Sequence, residues 1–182
     1  DNVLIKDGTC VSSNNPTLTG TGEANNLKID GKTLNINGNS LTVAGNFTNG
    51  GTLNGTGTLN VAGDFTNNGT FNGGSGTLNI EGNLSNGGTF DCDDTGNTVV
   101  FKGTNQTISN SIAFYDVQFD QSSVGTITAT NGILVGHEAT FTKGIVKGNM
   151  AFSSGATANV SDYNSFVAGT VTKQISGTEN FT

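Results

Sequence analysis

The chain has no Trp and no Arg, only one Pro, one His and one Met, and two Cys in 182 residues. Each shortage excludes something. Seven Lys, no Arg and a formal net charge of −7 leave no basic patch to neutralise phosphates, so neither nucleic acid nor an anionic membrane surface is an expected partner. Only four Glu are present, and Leu, Lys and Gln are sparse, which excludes a mainly helical chain. One Pro and no Gly at every third position exclude collagen. No apolar run approaches the ~18 residues of a membrane-spanning helix, so membrane insertion is not expected. A single His and two distant Cys are too few ligands for zinc.

What remains is Gly, Thr, Asn and Ser, together 96 of the 182 residues. Val, Leu, Ile and Phe add 44 more, enough to build a core rather than a disordered chain. The start, Asp1-Asn2-Val3-Leu4-Ile5, has no basic segment leading into a long apolar stretch. With this neutral, Thr/Asn-rich composition, the expectation is the mature form of a secreted, extracellular or cell-surface protein.

Three stretches superimpose. They begin at Leu41, Leu59 and Leu78, and a degenerate fourth begins at Val99, at spacings of 18, 19 and 21 residues. Each reads apolar-x-apolar, then Gly, then Phe or Leu, then Gly-Thr and a second Leu or Phe. Alternation of period two means a strand with one buried face. Gly and Asn follow each short strand and suit tight corners. One unit of about 20 residues cannot bury its own apolar face, whereas units stacked in parallel can. Three inner columns follow: Leu41/Leu59/Leu78/Val99, Phe47/Phe65/Leu84 and Leu53/Phe71/Phe90. Thr58/Thr77/Thr98 and Asn60/Asn79 form outward columns, and Asn49/Asn67/Asn86 fall at one corner as a candidate ladder. The fold expected is all-β: a right-handed parallel β-solenoid of about nine coils, 18–21 residues per regular coil. It forms one domain over residues 1–182, regular from 27 to 103 and looser from 104 to 182.

Chemistry is thin. His137 stands beside Glu138 with no nucleophile motif around it, so no catalytic residue is assigned. Asp91, Asp93 and Asp94 form the densest acidic cluster. Their carboxylates offer ligands to Ca²⁺, the one cofactor the sequence suggests, although the spacing is not that of a known calcium loop. Cys10 and Cys92 lie about four coil steps apart, ~19 Å along the axis, beyond the ~7 Å reach of a disulfide. A bridge within the chain needs the loop around Cys10 to fold down the side; the other readings are a bridge between subunits or two free thiols.

The segments Asn26-Leu27-Lys28-Ile29, Leu34-Asn35-Ile36-Asn37-Gly38, Gly45-Asn46-Phe47-Thr48-Asn49-Gly50-Gly51-Thr52, Val100-Phe101-Lys102-Gly103 and Phe114-Tyr115-Asp116-Val117-Gln118-Phe119 resemble bacterial secreted surface proteins with adhesin-like β-helical repeats, most closely those exported by the type IX route. The resemblance covers nearly the whole chain and implies a surface stalk, adhesin or fibre.

A solenoid has two open ends, and no amphipathic cap helix is visible at either. The function expected is therefore a non-enzymatic extracellular subunit that assembles head to tail, its own partner in a surface filament. The alternative is a stalk or adhesion module of a larger surface protein that binds glycans or surfaces. A carbohydrate-active β-helical enzyme comes third, because no constellation of basic and acidic residues supports it.

Overall fold

A computed structural model describes residues 1–6, 15–123 and 125–175. The chain is a right-handed parallel β-solenoid of about eight turns, and the described residues contain no helix. Each regular turn carries three short strands, one on each of three faces. One face has nine strands, from Val3–Lys6 to Phe166–Ala168; another has ten, ending in Val171–Lys173; a third has four, from Thr33–Asn35 to Thr89–Asp91. Every strand pair described is parallel, as expected when each strand sits on its equivalent one turn earlier.

The register shows why the repeat works. Leu41 lies on Leu59, Leu59 on Leu78 and Leu78 on Val99. Phe47, Phe65 and Leu84 form the second column, and Leu53, Phe71 and Phe90 the third. All are buried except Phe90, which is half-buried against the others. Burying each such side chain contributes ~1.5–3 kcal/mol, so the stacked columns are the main source of stability.

The corners obey equally local rules. Asn26 Oδ1 accepts the Asn46 N–H, Asn46 Oδ1 accepts the Asp64 N–H, and Asp64 Oδ1 accepts the Asn83 N–H, at 2.7–2.9 Å. The position needs only an acceptor there, so Asp64 serves as well as Asn. Gly45, Gly63 and Gly82 stack at the same corner; a Cβ on Gly82 would sit 2.3 Å from the Gly63 carbonyl. No other residue lets the backbones of adjacent turns approach so closely.

The later turns differ from the regular pattern. The four-stranded face ends at Thr89–Asp91, and beyond it Ile112–Asp120 and Ile133–Lys143 are single long strands that cross a corner. Their first parts pair with each other and stack above the four-stranded face, while their second parts join the ten-stranded one. A register shift between Phe114 and Asp116 makes the bend. The earlier turns place Gly at this corner, at Gly55, Gly57, Gly73 and Gly76, whereas Ile112–Asp120 has none, so the strand bends by a bulge instead of breaking. Nine coils were expected; about eight turns are present, because Val3–Lys6 adds a ninth rung to only one face.

Candidate functional site

Three places on this scaffold carry chemistry or leave it unfinished: one corner, one buried thiol and the two end rungs.

The corner between the four-stranded and ten-stranded faces collects the sequence candidates that lay far apart. The acidic segment Asp91–Asn97 turns this corner on one turn, and Tyr115 turns it on the next, its N–H donating to the Cys92 carbonyl at 2.7 Å. His137 follows one turn later. Its ring stacks on Tyr115 with centroids 4.8 Å apart and planes 12° from parallel, and its Nδ1 lies 2.7 Å from Asp116 Oδ1. The Tyr115–His137 contact was invisible in the sequence, because only the register of the bulged strands brings residues 115 and 137 together. Among the described residues, no hydroxyl or thiol hydrogen bond to the His137 ring accompanies the Asp116 contact.

Asp91 is half-buried, and its carboxyl, when protonated, donates a hydrogen bond to Asp93. Burial, that hydrogen bond and the charges of Asp94 and Asp93 together hold its carboxyl above the ordinary carboxylate range. Asp93 and Asp94 are exposed. Among the described residues, no three His, Cys, Asp or Glu side chains gather as a metal-ligand group.

Cys92 begins the same corner but points inward. Its thiol is free, fully buried and part of the hydrophobic core. Burial first, then the charges of Asp91, Asp93 and Asp94, push its pKa well above that of an ordinary thiol. Cys10, the other half of the bridge considered from the sequence, lies outside the described residues.

The end rungs continue the inner columns. Val160 sits on Phe141 and Val171 on Met150, both buried, yet Val160 is 59 % and Val171 52 % exposed. At the opposite end Val3 aligns with buried Leu27 and is 38 % exposed. In comparisons with known proteins, no family model, curated protein or solved structure matches the chain.

Proposed function

We propose that the protein is a non-catalytic structural rod of the extracellular surface, extended head to tail by laying the first rung of one copy on the last rung of another. The observation that carries this reading is the exposure of Val160 and Val171 in columns that are buried one turn earlier. A further rung would bury them, at ~1.5 kcal/mol or more per fully covered Val, and would pair the open strand edges. Parallel pairing of Val3–Lys6 with Phe166–Ala168 of another copy adds the next rung to the nine-stranded face in the sense the solenoid already uses. A surface location fits the Thr/Asn-rich composition and the resemblance to secreted adhesin-like repeats.

Sedimentation velocity over a wide concentration range tests the reading. The wild-type chain is expected to form species that grow with concentration. Val160→Asp with Val171→Asp places charge in the joint and should hold the chain as a monomer with an unchanged circular-dichroism spectrum. A wild-type chain that stays monomeric at every concentration contradicts head-to-tail extension and favours a stalk module whose rungs are covered by neighbouring segments of a longer surface protein.

A further inference from the structure

Seven Asn residues of the chain stand immediately before a Gly. Such a pair carries its own chemistry. The glycine nitrogen, with no side chain beside it, can attack the Asn Cγ and close a five-membered ring. Closure requires a nitrogen free of other partners and an asparagine side chain free to swing toward it. In six of the seven pairs the solenoid opposes this. Gly38, Gly50, Gly55, Gly69, Gly73 and Gly87 each donate their backbone N–H to a carbonyl of a neighbouring turn. In four of these pairs the Asn amide is engaged as well: Asn49 donates to Asn67, Asn54 to Asn35, Asn72 to Asn54 and Asn86 to the Gly88 carbonyl.

The seventh pair, Asn131–Gly132, is open. Asn131 is exposed, and among the described residues neither its side chain nor the Gly132 N–H has a hydrogen-bond partner. The residues on either side are anchored. The Thr130 N–H donates to the Ile108 carbonyl at 3.0 Å, and the Ile133 N–H to the Asn149 carbonyl at 2.9 Å. The pair spans the turn between them, where Gly132 takes a φ of +87°. A backbone N–H without a protein partner is left to water, which a reacting group displaces. Exposure alone does not single this pair out. Asn37 and Asn68 are exposed too, but the Gly38 N–H donates to the Thr56 carbonyl and the Gly69 N–H to the Asn49 carbonyl.

We propose that Asn131–Gly132 is a site of self-modification. The Gly132 nitrogen bonds to Asn131 Cγ, the Cγ–Nδ2 bond breaks, and the Gly132 amide proton leaves with the side-chain nitrogen as ammonia. Water then adds to either carbonyl of the succinimide ring and opens it. Opening on one side gives aspartate; opening on the other gives isoaspartate, in which the backbone runs through the former side chain. Water is the co-reactant, and no electron changes hands. Each product adds a negative charge to a chain whose net charge is already −7. Isoaspartate also lengthens the backbone just ahead of the long strand Ile133–Lys143. The flanking strands Thr126–Ala129 and Ile133–Lys143 both have neighbours on either side, so the site stands or falls independently of how the end rungs are covered.

Incubation of the full folded chain in a mildly alkaline buffer, followed by peptide mapping with electron-transfer fragmentation, tests this. Isoaspartate and aspartate should accumulate at Asn131 at least tenfold faster than at Asn37 or Asn68, with isoaspartate in excess. In concentrated urea, where no partner carbonyl is held in place, the seven positions should react within a few-fold of one another. Asn131→Gln, whose longer side chain cannot close the five-membered ring, should cut ammonia release by the folded chain at least fivefold. The proposal is overturned if Asn37 or Asn68 reacts as fast as Asn131 in the folded chain, or if Asn131 is inert there while the unfolded chain reacts. It is equally overturned if Asn131 leads by as much in urea, if it yields aspartate without isoaspartate, or if Asn131→Gln releases ammonia at the wild-type rate.

Discussion

Asn49 donates its amide N–H to Asn67 Oδ1 across 2.8 Å, with both side chains fully buried beside the phenylalanine column. Asn67 in turn donates to Asn86 Oδ1 at 2.8 Å and to the Thr89 carbonyl at 2.7 Å. A polar group in the interior is tolerated only with its partners in place. Asn67→Leu keeps the volume and strands those partners, each at ~1–3 kcal/mol, so a loss of about 3 kcal/mol is expected in chemical denaturation. A loss below about 1 kcal/mol would show that the ladder is incidental.

Phe65 stacks on Phe47 with ring centroids 5.0 Å apart and planes at 22°, and meets Phe71 edge-on at 5.5 Å. Phe65→Ala leaves a void between two turns and should cost ~3–5 kcal/mol. Phe90 is only half-buried, so Phe90→Ala should cost about half as much. Urea midpoints and slopes for the two variants decide it; equal losses would contradict the column order.

Asp91 occupies the top of a second ladder, in which Asn72 donates to Asn54 at 2.8 Å and the register places Asp91 on Asn72. The position suits an amide donor, and a carboxylate supplies none. Because the folded chain raises the Asp91 pKa above its ordinary 3.8, the folded state binds that proton more tightly than the unfolded state. Stability is therefore lost as pH rises from the ordinary carboxylate value through the raised one. Asp91→Asn should abolish this part of the pH dependence and add about 1 kcal/mol at neutral pH through the new hydrogen bond. Identical pH profiles for variant and wild type would refute the assignment.

The Cys92 thiol is both buried and raised in pKa, so it should resist alkylation in the folded chain. Peptide mapping after native iodoacetamide treatment should find Cys92 unmodified, and mapping after denaturation should find it modified. Rapid native labelling, or Cys92 recovered in a disulfide, would mean that the corner opens.

The regular turns were legible because Leu41, Leu59 and Leu78 recur with Gly and Phe at constant offsets, and period-two alternation fixes which side chains point inward. The long strands Ile112–Asp120 and Ile133–Lys143 were read only as continued alternation, because the bend in Ile112–Asp120 carries no Gly and the single Gly136 in Ile133–Lys143 does not make a Gly-rich corner. Asn49 and Asn67 read as corner residues and prove to be fully buried, since composition does not distinguish an Asn at a turn from one in an internal ladder. Tyr115 and His137 carry no motif; their stacking depends on the register shift between Phe114 and Asp116 that only the folded chain displays.

Mass per length, measured on unstained assemblies in the electron microscope, tests the central claim most directly. If Val3–Lys6 of one copy pairs with Phe166–Ala168 of the next, filaments should contain one chain of 18.5 kDa per ~43 Å, the nine rungs of that face at ~4.8 Å. Compact single particles at every concentration, or a mass per length matching chains packed side by side, would contradict it.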